Sequence, residues 1–516
     1  MNRKQKRKTL FAVLAKELKG IMVLSFLILF AGYANAQNTL VTNTLAKAKQ
    51  LRNEKKFAEA VTVLGNFENK YPGNIWIEQL YAQTLFWMKD YHQADVIYKR
   101  AIGYHPGNLG LKFDYAIMLF AENKLNLAKV QLLAYTRSKK DNAGAEALLG
   151  KIFYFQSQFK NAEKYLRQAV QLNPRDKQTE KLYREIYRIV SPQLALSAEY
   201  KNDDQPLQTL GSALKFQWYV SDLLDFDVSG DAFKFTEIPN AGLISSAAIG
   251  NRFNFRKAGV KLRLAGSWFY ANSDKTYDWG GMVQLDKRFN KSFKIALKAE
   301  RTNYTYTIAS VDNNLLMINQ FSLNFSAGKT ESWNGMAGAR YQFFPDNNYV
   351  SAFYAWFLSK PLNFSGFKLA FGYAFNYMDS KEDRFVPKAG GVMPNSNNGN
   401  NQSTVVDGIY VPYYTPHNQY ANSILVNFNF HVTPDATFYG HASVGVYSKT
   451  NAPGFSLSNN GTLGKTFAYQ SYTPLDLGLS FHTDISRKTE LNLSYSYLQT
   501  YFYSSHNINF GFRFYF

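Results

Sequence analysis

Two glycine-lysine-threonine triplets are the first residues in this chain with the types to do chemistry. Gly328-Lys329-Thr330 and Gly464-Lys465-Thr466 carry the tail of a phosphate-binding loop, in which backbone N–H groups cradle the phosphates and the lysine reaches them. That loop also needs a glycine five positions before the second one. Leu323 and Asn459 stand there instead, so both triplets read as turns. Asp225, Asp227, Asp231 and Glu300 are of the type that forms acid–base pairs on a glycosidic bond; in a sheet wall such groups pair with lysine and arginine. No histidine is followed by glutamate, which removes the zinc helix H-E-x-x-H, and no G-x-S-x-G occurs. His431, His441 and His482 share no ligand spacing. With no cysteine there is no disulfide, thiolate metal site or thiol nucleophile. The expectation is a protein that is not an enzyme and carries no cofactor or metal.

The elements that must position any site follow from periodicity. A length of 516 residues exceeds one ordinary core, so at least two domains are expected. Aromatics make up 16% of the chain, with 36 Tyr and 42 Phe, yet mean hydropathy is only −0.32. Apolar residues alternating with polar ones give that combination; helical spans of about 20 apolar residues do not. The formal charge is +20, of which Arg3, Lys4, Lys6, Arg7, Lys8, Lys16 and Lys19 against Glu17 supply +6, leaving +14. Nucleic acid is the reflex partner for such a charge, but the same basic stretch belongs to an export signal. An apolar run, Ile21 to Phe30, follows it and meets Ala34-Asn35-Ala36, so cleavage is expected between Ala36 and Gln37. The first segment is therefore 1–36, a signal peptide.

Residues 41–176 repeat every 34 positions. Ala60, Ala94, Ala128 and Ala162 keep this spacing, as do Ala48, Ala82, Ala116 and Gly150. Phe57, Tyr91, Leu125 and Phe159 keep it, as do Leu64, Tyr98, Leu132 and Leu166. Pro72, Pro106 and Pro174 follow it with Lys140 as the exception. Five registers in step indicate pairs of antiparallel helices: small residues where helices touch, large ones between, and proline ending the second helix. This pattern resembles the tetratricopeptide repeat (TPR) family. A closing helix, 177–190, with Leu182, Ile186 and Ile189 on one face, completes a domain at 37–190. The resemblance implies a scaffold with a concave face lined by Trp76, Gln79, Gln83, Phe86 and Trp87 in repeat two, Phe113, Ile117 and Phe120 in repeat three, and Lys151 and Tyr154 in repeat four. Those residues read either as a groove for a sugar or a partner helix, or as packing against the next helix.

At Ser191-Pro192 the period changes from 3.6 to 2. In the last segment Ile508, Phe510, Phe512, Phe514 and Phe516 alternate with Asn509, Gly511, Arg513 and Tyr515. Leu262, Leu264 and Trp268 oppose Lys261, Arg263 and Ser267 in the same way. Such strands suit lipid on one face and a wet lumen on the other. Sixteen candidates are expected between 193 and 516, among them 418–432, 435–448, 467–482 and 505–516. Short turns fall at the end where the chain enters, and the long segments 379–417 and 449–466 at the other. The fold class is thus α + β in two domains: a TPR α-solenoid, then a C-terminal antiparallel transmembrane β-barrel of about 16 strands at 191–516. Asn509, Gly511, Phe514 and Phe516 resemble the terminal assembly signal of outer-membrane barrels.

This domain order resembles the exopolysaccharide-export porins, of the poly-N-acetylglucosamine porin and cellulose-export subunit type, and the YaiO-type outer-membrane proteins. The resemblance implies residence in the outer membrane of a Gram-negative-type bacterium, with the repeats in the periplasm. It implies outer-membrane lipid, the barrel-assembly machinery, a periplasmic protein and a polysaccharide as partners, and no nucleic acid. The function expected is a porin for polysaccharide export. The alternative is a non-conducting anchor whose repeats recruit envelope proteins. Alternation turns Lys215, Arg252, Lys261, Arg263, Lys294, Lys298, Arg340, Lys368 and Arg513 inward, with Asp225, Asp227, Asp231, Asp286 and Glu300. That basic excess points to an anion-favouring conduit for an acidic or neutral polymer. Equally, inward carboxylates and a loop drawn from 379–417 would neutralise and plug it.

Overall fold

The computed structural model describes residue 22 and residues 38–516 apart from 237–241, 291, 313–314, 329–330, 394–403 and 459. The expected cleavage at Ala36–Gln37 and Lys329-Thr330 lie outside the described residues. Contacts divide the chain into two compact units, up to Tyr183 and from Arg184 onward.

The first unit is a ladder of helices. They are α1 (38–53), α2 (Phe57–Lys70), α3 (Ile75–Trp87), α4 (Tyr91–Tyr104), α5 (Leu109–Ala121), α6 (Leu125–Ser138), α7 (Ala143–Phe155) and α8 (Phe159–Leu172). A last helix, α9 (Lys177–Val190), begins in the first unit, and from Arg184 on it belongs to the second. The 34-residue period is a structural period: Ala60, Ala94, Ala128 and Ala162 are fully buried, and so are Leu64, Tyr98, Leu132 and Leu166. Gly150 replaces alanine because a Cβ there would stand 2.5 Å from the Leu166 side chain. Each helix pair turns through a positive-φ residue, Lys55, Lys89, Asn123 and Ser157, again 34 apart. Asn74, Asn108 and Asn142 cap the next helix by accepting from its first backbone N–H groups. Proline does not by itself end the second helix. α6 stops at Ser138 in the same phase as α2, α4 and α8, although Lys140 stands where the others have proline. In all four the residue after the helix still donates its N–H four residues back and then leaves helical backbone angles.

The second unit is a closed sheet. Its strands are β1 (Gln193–Asp203), β2 (Leu207–Tyr219), β3 (Leu224–Thr236), β4 (Leu243–Phe255), β5 (Val260–Ala271), β6 (Thr276–Arg288), β7 (Phe293–Asn303), β8 (Met317–Gly328), β9 (Asn334–Phe343), β10 (Tyr349–Leu358), β11 (Leu362–Phe364), β12 (Phe367–Ser380), β13 (Phe385–Met393), β14 (Thr404–Tyr410), β15 (Gln419–Thr433), β16 (Ala436–Leu457), β17 (Leu463–Ser471), β18 (Leu475–Ser486), β19 (Thr489–Gln499) and β20 (Ser504–Tyr515). Sixteen of these, all but β11, β13, β14 and β17, form the ring, each antiparallel to its neighbours. β20 closes it on β1, from Gln193↔Tyr515 to Asp203↔Ser505. Closure leaves no sheet edge in the wall, as a bilayer requires. The outer face is a belt of exposed apolar side chains, such as Leu214, Phe216 and Trp218 on β2, Phe371 and Phe375 on β12, and Ile508 and Phe510 on β20. A surface of this kind fits lipid, and the unit is an outer-membrane type of barrel. No described helix is long and apolar enough to cross a membrane.

One expected strand is two. Within 467–482 the chain breaks at Tyr472–Pro474, so that β17 and β18 pair with different parts of β16. β16 runs 22 residues. Its first half is a stave between β15 and β18; beyond Val444 it parts from β18, stays on β15 as far as Lys449, and from there pairs with β17 and β14. β13, β14, the far half of β16 and β17 make a small sheet past the barrel's far end. Most of 379–417 is spent there.

Replacing Ala94 with Leu adds volume at a fully buried helix contact, and is expected to destabilise the repeat unit (residues 38–183) by roughly 1–3 kcal/mol through overpacking. A thermal melt followed by circular dichroism checks it; an unchanged midpoint would refute the contact.

Candidate functional site

Inside the ring the pleat turns every second residue inward. All nine basic residues expected on the inner face lie on the ladder positions of that face, and Arg252 stands directly opposite Arg263. They are mostly matched. Asp227 sits 3.4 Å from Lys215 and 3.2 Å from Arg263, which reaches it across β4, where the residue opposite is Gly250. Arg252 pairs with Asp225, Lys294 with Asp286, Lys298 with Glu300, Lys368 with Glu331 and Arg513 with Glu490. Lys261 and Arg340 make no ion pair among the described residues. Asp231 accepts from Ser246. The inner face also carries Glu199, Asp203, Asp476, Asp484 and Glu490, so the expected basic excess is offset. Asp203, Asp476, Asp484 and Glu490 stand near strand ends, where alternation gives no sign of direction; Glu199 stands mid-strand and is legible from alternation.

Most of the inner-face charges lie on β1 to β9, with Lys368 on β12 and Asp476, Asp484, Glu490 and Arg513 on β18 to β20. From β10 to β18 the inner face is neutral over most of its length: Tyr354 and Trp356, then Ala370, Gly372 and Ala374, then Asn427 and Asn429. A cavity of about 810 Å³ opens against this side near the end where the chain enters. Trp356, Met336, Asn427, Asn429, Tyr439 and His441 line it, with Arg288, Lys294 and Lys368 at its rim.

The far end is different. The β7–β8 connection folds inward with a short helix, α10 (Ile308–Asp312). Val311 is buried with Leu207, Phe235, Ile244 and Ala271. Tyr304 and Tyr413 are buried with Phe344, Ile318 and Val350. Thr307 donates to the Pro412 carbonyl and Gln205 to the Tyr306 carbonyl, at 3.0 Å for the latter. Tyr414, before β15, stacks on Phe502 of the β19–β20 turn at 4.5 Å. Connections from four places around the ring thus meet across this mouth. Part of the segment expected to plug, residues 411–418, does enter. The β7–β8 connection, unexpected from sequence, supplies the rest.

At the entry end, Arg184 pairs with Asp435 at 2.9 Å and Asp484 at 3.4 Å. Arg188 pairs with Asp484 at 3.0 Å and Glu490 at 2.9 Å, and lies over the Tyr515 ring. His482, Asp484 and Glu490 bring ligand atoms within 4.8 Å of one another, a grouping that sequence spacing did not show. Arg188 already engages both carboxylates. His441 pairs with Asp476 at 3.1 Å and His431 with Thr437.

In the repeat unit, Gln79 and Gln83 both donate to Asp114 of the next repeat, at 2.6 and 2.7 Å. Phe113 packs on Tyr135, Phe120 on Phe155, Tyr154 on Phe159 and Phe86 on Tyr91. These are contacts with adjacent helices. Trp76 and Trp87 remain exposed, Trp87 beneath the Arg52 guanidinium at 4.1 Å, and Lys151 is half-buried. A second feature had no sequence signal. Glu68 and Glu78 are buried together on one guanidinium, Arg100, at 3.0 and 3.2 Å. Burial first, and the neighbouring Glu68 second, push the Glu78 carboxyl up to about 7 against the pull of Arg100. In β20, Asn509 and Gly511 stand on the inner face, while Phe514 and Phe516 stand on the outer one.

No family model matches the chain, and no curated protein matches it. Among solved structures, one described as a bacterial polysaccharide outer membrane secretin is similar at 11% identity, with a TM-score of 0.46, over 63% of this chain and 99% of that one. MamA from Desulfovibrio magneticus RS-1 is 16% identical, TM-score 0.27, over 28% of this chain and 83% of its own. A tetratricopeptide repeat protein from Parabacteroides merdae is 12% identical, TM-score 0.28, over 29% and 60%. The architecture expected from sequence, helical repeats followed by a sixteen-strand barrel, is the one this chain has.

Two expectations follow. Asp227→Ala strands two cations on a carboxylate site whose side chain is only 6% exposed, whereas Glu331→Ala removes a partner that is 65% exposed. The first should lower the temperature at which the folded barrel loses its heat-modifiable gel band, and the second should leave it unchanged. Glu78 has a folded pKa raised above its unfolded value, so its contribution to stability is complete at low pH and lost as pH rises through about 7. The melting temperature of the repeat unit should fall between pH 5 and 8, and Glu78→Gln should flatten that slope; an equal slope in both proteins would be inconsistent with the buried pair.

Proposed function

We propose that the barrel is a conduit for a polysaccharide, closed at its far end in this state, and that the repeats serve envelope proteins on the periplasmic side. The observation that carries it is the interior itself: a polar wall with an 810 Å³ cavity open at one end and a mouth bridged by loops at the other. A barrel that served only to anchor has no need of an inner face that keeps charged and amide side chains with space left beside them. The short turns lie at the end where the chain enters, and the small four-strand sheet at the other. Outer-membrane barrels keep short turns on the periplasmic side, which supports a periplasmic repeat unit. Export by way of the signal at 1–36 is part of the same proposal.

The bridged mouth favours a second reading, a non-conducting anchor whose repeats recruit partners. Planar-bilayer recording separates the two. The conduit reading expects low conductance for the full chain and a several-fold rise when residues 305–312 are replaced by a glycine-serine linker. If the replaced protein is folded by heat-modifiability and still carries no current, the anchor reading stands and the conduit falls.

A further inference from the structure

We propose that the trough beside Trp356 is a binding site for an uncharged or acidic pyranose chain. The proposal rests on the conduit reading for the ligand's class and goes beyond it in naming the residues and the charge.

The chain has seven tryptophans. Trp76 and Trp87 belong to the repeats, while Trp218, Trp268, Trp279 and Trp333 are exposed on the outer face, where indoles anchor a barrel at the membrane interface. Trp356 alone faces the lumen. Its ladder partners are Met336 on β9 and Ala374 on β12. At the neighbouring inner positions β12 presents Ala370, Gly372 and Ala374, small residues beside a half-buried indole. Gly372 cannot be larger, since a Cβ there would stand 2.0 Å from the Phe357 carbonyl. On the other bank, Asn427 and Asn429 face inward from β15, opposite Ala370 and Lys368. The two banks are two strand spacings apart, about 10 Å. The Oδ1 of Asn429 is buried with no hydrogen-bond partner among the described residues, an acceptor that native structures rarely leave unused.

An apolar ring on one bank, carboxamides on the other and a floor of small residues suit a flat amphipathic unit. A pyranose offers C–H faces to the indole and hydroxyls to the amides. The charge of the ligand follows from the lining. Arg288, Lys294 and Lys368 line the cavity, and no carboxylate does among the described residues. Lys294 and Lys368 already hold Asp286 and Glu331, whereas Arg288 makes no ion pair among the described residues and can meet an acidic unit. A free-amine sugar finds no carboxylate in this lining, so neutral or carboxylated units are favoured.

The test uses the full chain in detergent micelles and hexasaccharide probes: cellohexaose, maltohexaose, N-acetylated chitohexaose, oligogalacturonate and the glucosamine hexamer. Binding is read by calorimetry, with heat-modifiability as the check on folding. At least one neutral or acidic hexamer should bind saturably, and Trp356→Ala should weaken it at least ten-fold. Trp356→Tyr should restore most of the affinity, Asn429→Leu should weaken it, and Trp333→Ala should leave it unchanged. Binding that ignores Trp356→Ala in folded protein, preference for the glucosamine hexamer, or no binding by any neutral or acidic probe would overturn the site. Conductance separates this from the parent reading: binding without current leaves the site and removes the conduit, and current without binding does the reverse.

Discussion

A sheet with lipid on one face and water on the other admits one register for each strand. Shifting a stave by a single residue would turn its aromatics into the lumen and its lysines into the bilayer, where each basic group costs about 2–4 kcal/mol at the midplane. Everything else in the second unit depends on that constraint. It puts Arg263 opposite Arg252, and Asp227 beside Lys215. It sends Trp356 inward while the other barrel tryptophans face out. It also brings the last strand to the first, Arg513 to Ala195 and Phe514 to Leu194, with no edge remaining in the wall.

Much of this is legible in the sequence because both units are periodic, and the reasons for the rest are physical. A 34-residue repeat exposes its buried positions by recurrence, so Ala60, Ala94, Ala128 and Ala162 could be named before any helix was seen. The caps Asn74, Asn108 and Asn142 recur with the same period, and counting asparagines as well as alanines would have found them. Period two exposed the nine inward cations in the same way. It could not show their partners, because Arg263 meets Asp227 from two strands away, and that distance depends on register and not on sequence separation. A plug from 379–417 was among the expectations, but the share that the β7–β8 connection supplies was hidden for a related reason. Tyr304, Tyr413 and Tyr414 sit in connections that lack a period, and they are buried only because four loops meet. The split of 467–482 into β17 and β18 turned on Pro474 and the long β16, a tertiary event inside a segment that alternates throughout.

The two mouths of the barrel obey different physics. At the entry end, Arg184 and Arg188 are held by Asp435, Asp484 and Glu490, charge against charge, with Asp435 exposed and Glu490 buried. Salt weakens the exposed Asp435 contact more than the buried ones. At the far end the contacts are aromatic and buried, with Tyr413 wholly covered. Opening that mouth exposes apolar surface at a cost near 25 cal/mol for each Å², so the bridged state is the resting one. A passage that opens must recover this from somewhere, and a chain that binds along the inner wall is the source the interior provides.

The division of the lumen into a charged half and a neutral half has the same logic. On β1 to β9 the carboxylates and cations mostly satisfy each other: Asp227 serves two cations, Lys298 serves Glu300, and Gln342, Gln320 and Glu300 form one hydrogen-bonded row. Groups so engaged stiffen the wall and have little left to offer a passing polymer, because breaking a half-buried pair leaves its partner unpaired. On β10 to β15 the side chains are an indole, small residues and amides, with the Asn429 oxygen unspent. These can make and break contacts without stranding a charge. A polymer moving through the ring would therefore be held by the neutral bank and only fenced by the charged one, which keeps each hold weak enough to release.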